Sequence, residues 1–215
     1  MLYHPQALNI DSFLEGYLGL ELDYQYLSND CRYLGMTVFN DTDKVVVYNP
    51  DLTRADYLHA NHGTVIIDIN LLKKSQEHRY RFTLAHECGH WIFHREHFGY
   101  DPNQLSLFEY AEPYLQCREV DCNYLASNNT EWDSYRWMEW QADKFAASIL
   151  MPKTSVKFLL GVDKIITPYN EVNSAIESIT QTYNVSKRSA FLRLRDLHII
   201  NIPNNNEEYT QLTAL

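Results

Sequence analysis

The sequence predicts an α+β protein, with strands gathered in its first third and helices in the remainder. Three observations carry this expectation. Residues 21–27, 33–39, 44–48 and 64–69 are short runs rich in β-branched and aromatic residues, bounded by turn-forming residues. Beyond them, apolar residues recur at three- and four-residue spacing, the helical period. Strands first and helices afterwards is the α+β order. Third, residues 82–94 contain His86-Glu87-Cys88-Gly89-His90, a pattern whose chemistry requires a helix to bring its residues together.

The elements follow in order. Leu8, Phe13, Leu14, Tyr17 and Leu18 form an approximate helical stripe over residues 5–19, and Gly19 ends it. The first three strand-like runs come next. Asn40-Asp41-Thr42-Asp43 reads as a hairpin turn between the second and third, and Asn49-Pro50 stops the third. A polar loop carrying His59 and His62 leads to the β-branched run 64–69, which feeds a helix expected over residues 75–95. Residues 98–130 are broken by Gly99, Pro102 and Pro113, so they read as irregular. A helix is expected over residues 132–150, and Pro152 can open a short one after it. Thr167-Pro168 is another break. Two helices, 171–183 and 187–197, close the ordered chain. Between them Asn184 can leave the helical conformation, Val185 can staple and Ser186 can cap, a helix–turn–helix outline. The tail beyond Pro203 is polar.

Composition excludes some classes of function. A net charge of −10 disfavours direct nucleic-acid binding, since phosphate neutralisation needs Lys and Arg. Lys187, Arg188, Arg193 and Arg195 could line a DNA-reading helix. Phe191, Leu192, Leu194 and Leu197 occupy so much of that helix that a packing subdomain is the better reading. No run approaches the roughly 20 apolar residues that span a bilayer, and no basic-then-apolar leader is visible. The cysteines Cys31, Cys88, Cys117 and Cys122 then read as reduced thiols in a cytoplasmic protein. Cys117 and Cys122 lack a second pair with which to build a structural zinc site.

The chemistry lies in the helix of residues 75–95. Residues four apart share a helix face, so His86 and His90 can aim imidazole nitrogens at one ion. Glu87, turned roughly 100° from His86, falls where a general base for the attacking water belongs. A catalytic zinc needs a third protein ligand. His94 lies roughly 12 Å along the axis from His86, too far to share an ion, and reads as a packing or hydrogen-bonding residue. Phe93 and Glu96 stand where another class of zinc peptidase has a glycine and a third histidine. That leaves an acidic residue elsewhere. Glu139 is the best candidate, in a helix whose stripe includes Ala142, Ala146 and Leu150; Asp143 shares its face and could accept a hydrogen bond from the outer nitrogen of His86 or His90. Ala142 and Ala146 allow two helices to approach closely. Glu109, Glu112, Glu119 and Glu131 compete from less regular sequence.

With these residues in view, the chain resembles the ImmA/IrrE family of metallopeptidases. The resemblance rests on Arg81 to Trp91, on Trp140-Gln141-Ala142-Asp143 through Met151-Pro152, and on Tyr183-Asn184-Val185-Ser186 with Ala190 and Arg193-Leu194. It covers about residues 60–197. It implies a small zincin-like fold with a mixed sheet, and zinc held by two His and one Glu, matching His86, His90 and Glu139. It also implies a protein substrate, a helix–turn–helix repressor of a mobile element or phage, or a related regulator. Cys88 departs from the family, where an apolar residue is common, and is expected to point away from the metal.

The expected layout is a metallopeptidase domain over 1–160, a helical subdomain over 161–200 and a polar tail over 201–215. Glu87 would take a proton from water and pass it to the leaving amine. The substrate is expected to lie extended on an exposed sheet edge, with residues 64–69 or a neighbouring strand as the candidate. The alternative is a noncatalytic regulator that uses the same fold to bind a partner protein or DNA. The intact set His86, Glu87, His90 and Glu139 favours the enzyme.

Overall fold

The structure, a computed structural model, describes residues 4–99, 114–118, 133–161 and 165–201. Trp132, Cys122, the competing acids Glu109, Glu112, Glu119 and Glu131, and the tail beyond Pro203 lie outside the described residues. The class is α+β as expected, with one compact unit spanning Ile10–Ala146 and a second comprising Met1–Asn9 and Ala147–Leu215.

In the first unit, α1 (Ile10–Ser12) runs into a π-helical turn, Phe13–Leu18. Gly19 then takes a left-handed φ of 68°, which closes the turn where its sequence position suggests. The helical segment begins at Ile10 rather than residue 5. Next come β1 (Glu21–Gln25), β2 (Tyr33–Val38), β3 (Thr42–Asn49), β4 (Arg54–Ala60) and β5 (Thr64–Asp68). After two single 3₁₀ turns, α2 (Glu77–Phe98) carries the His-Glu pattern. It is followed by β6 (Tyr114–Arg118) and α3 (Ser134–Leu150). The boundary between the units falls in α3, after Ala146.

The strands form two sheets. A four-stranded sheet has the order β1-β5-β2-β6, and β3 pairs with β4 alone. In the larger sheet β1 runs parallel to β5, while β2 is antiparallel to both β5 and β6, so this sheet is mixed.

Three sequence expectations change here. The turn at residues 40–43 does not join a β2–β3 hairpin: β3 folds back on β4, with Asn49 opposite Arg54. The supposed polar loop before His62 is largely β4. Its alternation of exposed Ala55, Tyr57 and His59 with half-buried Asp56 and Leu58 suits a strand with one wet face. Residues 64–69 are no exposed edge either. The strand β5 is buried at every position and paired on both sides, so both rows of backbone hydrogen bonds are already used. Among the described residues the outer strands of that sheet are β1 and β6.

Two features set α2 against the sheet. Buried Asp68 ends β5 and accepts backbone N–H bonds from Leu27 at 3.0 Å and Asn70 at 2.9 Å, turning the chain towards α2. Gly35 of β2 lets α2 approach: a Cβ there would meet Glu87 Oε1 at 2.5 Å and Thr83 Cγ2 at 2.8 Å. Beneath them, Met36, Val38, Val45, Val47, Ala60 and Ile66 form an apolar cluster with Leu27.

In the second unit, α4 (Lys153–Leu160), α5 (Tyr169–Tyr183) and α6 (Lys187–Asp196) follow the end of α3. Pro152 and Pro168 stand at the N-caps of α4 and α5, the positions where a missing N–H costs nothing. Asn184 adopts a left-handed φ of 53°, and Ser186 Oγ accepts from Ser189 N at 3.1 Å, capping α6. Val172, Ile176 and Ile179 are buried on one face of α5, with Tyr183 donating or accepting at Ser155 Oγ over 2.7 Å. Arg193 is buried and donates Nε to Met151 O at 3.0 Å, so this cation holds the unit together internally. No described helix is long and apolar enough to cross a membrane.

Candidate metal centre

The pattern residues meet because α2 is a continuous 22-residue helix covered on more than one side. His86, Glu87, Cys88, Gly89 and His90 are all buried. Helices α2 and α3 approach closely at Gly89, where a Cβ would meet Ala142 Cα at 3.1 Å and Phe145 Cβ at 3.2 Å. That contact brings Glu139 of α3 to the two histidines.

The geometry is convergent. His86 Nε2 and His90 Nε2 lie 2.8 Å apart. Glu139 Oε2 is 3.4 Å from His86 Nε2, and Glu139 Oε1 is 3.3 Å from His90 Nε2. One ligand atom from each of the three residues falls within a 4.8 Å set, the only such group of His, Cys, Asp and Glu among the described residues. Tetrahedral bonds of about 2.0–2.1 Å separate ligand atoms by roughly 3.3 Å, so the contacts of Glu139 are of the right size and the two histidines need spread only slightly.

Behind this triad, Asp143 Oδ1 lies 2.9 Å from His86 Nδ1. A carboxylate can only accept, so a neutral His86 carries its proton on Nδ1 and turns a bare Nε2 inward. His94 stands on the outer side of His90, its Nδ1 3.0 Å from His90 Nδ1 and its Nε2 3.0 Å from Gln141 Oε1. Cys88 is buried and is not among the converging residues, and burial pushes its thiol up to about 12. His59 pairs with Asp43 at 2.6 Å on the exposed face of β4. The His62 ring packs 4.9 Å from that of Trp91 and donates Nδ1–H to Phe39 O at 2.8 Å. Neither joins the triad.

Glu87 occupies the wall between α2 and β2. Thr37 Oγ1 donates to Glu87 Oε2 at 2.6 Å, while Oε1 faces Gly35. Thr37 was not foreseen from the sequence, where it reads only as a β-former. Burial raises the Glu87 carboxyl to about 7; His86 and the Thr37 hydroxyl act against this and Glu139 adds to it. Burial also lowers His90 to about 4, keeping its imidazole neutral as a ligand must be. At Glu139 burial acts upward, but the adjoining imidazoles of His86 and His90 outweigh it and hold the carboxyl below its usual range.

The residues fit a cation on grounds independent of spacing. Among the described residues, three buried side-chain polar atoms lack a hydrogen-bond partner, and two of them are Glu87 Oε1 and Glu139 Oε1. Buried carboxylate oxygens left bare are costly, and the one on Glu139, 3.3 Å from His90 Nε2, lies where a cation would satisfy it.

A mixed α+β protein with two imidazoles and a carboxylate aimed at one point, and another carboxylate beside them, has the donor set of a metal-dependent hydrolase. The chain belongs to the peptidase M78 family: the family described as the IrrE N-terminal-like domain matches residues 31–195. That membership makes it a peptidase of the metallopeptidase class and implies a protein substrate. Comparison with curated proteins found no significant match.

Proposed function

We propose that the protein is a zinc-dependent endopeptidase of zincin-like fold that cleaves a regulatory protein. The observation that carries this is the convergence of His86, His90 and Glu139 beside buried Glu87. His86, His90 and Glu139 would hold the metal, and two nitrogens with one carboxylate suit zinc. Bound zinc supplies Lewis acidity and a water of lowered pKa. Glu87, with one oxygen held by Thr37 and the other bare, takes the proton from the attacking water. It then returns the proton to the leaving amine. Asp143 orients His86.

The substrate would lie extended beside β6, adding to the outer strand of the sheet by main-chain pairing. This strand is the neighbour of β2, whose Thr37 and Gly35 touch Glu87 and whose β6 partners are Leu115 and Cys117. The substrate class, a helix–turn–helix transcriptional regulator, rests on the family resemblance. The paired helices α5 and α6 serve as a small helical subdomain of helix–turn–helix outline, and the setting is the cytoplasm.

The test is co-incubation of the purified zinc-loaded protein with candidate helix–turn–helix regulators, followed by mass mapping of fragments. Glu87→Gln should keep its zinc while cleavage falls about 10²–10⁴-fold. Glu139→Ala should lose the metal. A wild type that binds no zinc, or a Glu87→Gln protein that cleaves at full rate, refutes the proposal.

A further inference from the structure

The outer nitrogen of His90 does not meet a carboxylate. It meets His94, one turn further along α2, at 3.0 Å between the two Nδ1 atoms. The other nitrogen of His94 reaches across to α3, where Gln141 Oε1 lies 3.0 Å from Nε2. His90 is 0% exposed and His94 4%. Imidazole, imidazole and amide thus form a line running outward from the site.

With Gln141 Oε1 facing His94 Nε2, such a line has one consistent proton arrangement. An amide oxygen only accepts, so His94 carries its proton on Nε2. A neutral imidazole has a single N–H, which leaves His94 Nδ1 bare and able only to accept. His90 Nδ1 must then be the donor between the two rings. Its Nε2, the atom 3.3 Å from Glu139 Oε1, is left as a lone pair facing inward. Reversing the amide would reverse every step and put a proton on His90 Nε2, where a cation should bind.

We infer that His94, anchored by Gln141, is a positioning residue that holds His90 in the tautomer able to bind the metal. The inference rests on His86, His90 and Glu139 being the ligands. It also explains an asymmetry. An anionic acceptor, Asp143, orients His86, whereas a neutral relay orients His90. Glu139 already brings a carboxylate to within 3.3 Å of His90 Nε2. A second negative charge behind that ring would repel it in a region of low dielectric, and the neutral relay fixes the ring without it.

The test uses the full chain and two readouts apart from activity. One is the protonation site of each histidine in the metal-free protein, read by long-range ¹H–¹⁵N correlation. The other is zinc affinity, measured by competition with a chromophoric chelator. The wild type should show His90 protonated on Nδ1. His94→Leu and His94→Asn have nearly the same shape, but Asn keeps an acceptor oxygen where Nδ1 was. His94→Leu should lose about 10–100-fold in zinc affinity, and His94→Asn should recover most of that loss. Gln141→Leu, at an exposed residue that folding tolerates, should cost less than about tenfold and leave His94 in mixed tautomers. If His94→Leu fails to fold, Gln141→Leu carries the test, and unchanged tautomers with unchanged affinity overturn the inference. A proton found on Nε2 of wild-type His90 overturns it as well, as does equal loss in the Leu and Asn variants. A wild type that binds no zinc overturns the ligand assignment itself and the positioning role with it.

Discussion

At the scale of single residues, Glu87, the proposed base, is held at only one of its two oxygens. Thr37 donates to Glu87 Oε2 at 2.6 Å, and this bond favours the ionised carboxylate. Thr37→Val keeps the shape and removes the donor, so the acid limb of the kcat/KM profile should move to higher pH. A limb that stays in place would release Thr37 from this role. The burial of Glu87 has a second consequence in the metal-free protein. A carboxyl raised from 4.5 to about 7 contributes stability that is fully present below the lower value and is lost as pH rises through the higher. Glu87→Gln carries no such charge. Its melting temperature in chelator should match the wild type below about pH 4.5 and exceed it increasingly towards pH 8. Thermal melts across that range check the sign. The residues legible in the sequence were those whose chemistry follows a helical period: His86, Glu87 and His90 in one segment, Glu139 and Asp143 in the other. Thr37 lies 50 residues from Glu87 in a strand, and period-two alternation cannot tell a threonine facing a carboxylate from one facing a methyl group. His94 could be excluded as a ligand by axial distance, but its link to Gln141, 47 residues on, exists only after packing.

At the scale of elements, the site depends on how closely α2 meets its neighbours. Gly89 faces α3, and an added Cβ would press on Ala142 Cα at 3.1 Å. Gly89→Ala gains roughly 0.5–1 kcal/mol of helix preference and loses a comparable amount in contact, so metal-free stability should change by less than about 1 kcal/mol. The helices would part by a few tenths of an ångström, carrying Glu139 from His86 and His90. Zinc affinity should therefore fall while the denaturant midpoint of the metal-free protein hardly moves; the reverse pattern would separate this glycine from the site. The helices were legible because long periodic segments with Pro and Gly at their ends leave few alternatives. The strands were less so. The run 54–60 hides its period in Asp56, Leu58 and Ala60, and a turn sequence at residues 40–43 suits a loop that changes sheets as well as a hairpin. The five residues of β6 sit in a stretch with no periodicity of its own, and their partner β2 defines them as a strand.

At the scale of the whole molecule, metal and fold are thermodynamically linked. On the proposed ligand set, zinc would bind the assembled triad and not the separated segments, and so would stabilise the folded chain by about 2.7 kcal/mol at a hundredfold excess over its dissociation constant. For a chain of this size that should raise the melting temperature by roughly 5–10 °C. Glu139→Ala should show no such rise, and an equal rise in both proteins would place the stabilising zinc elsewhere. The pairing of α2 with α3 also has a consequence in time. Glu139 follows His90 by 49 residues. At about 5–20 residues per second, roughly 2–10 s separate their synthesis on the ribosome. Throughout that interval the nascent chain offers two histidines without their carboxylate. If these residues are the ligands proposed above, the order in which they are made works as a delay, keeping the proposed site unassembled until most of its protein framework exists.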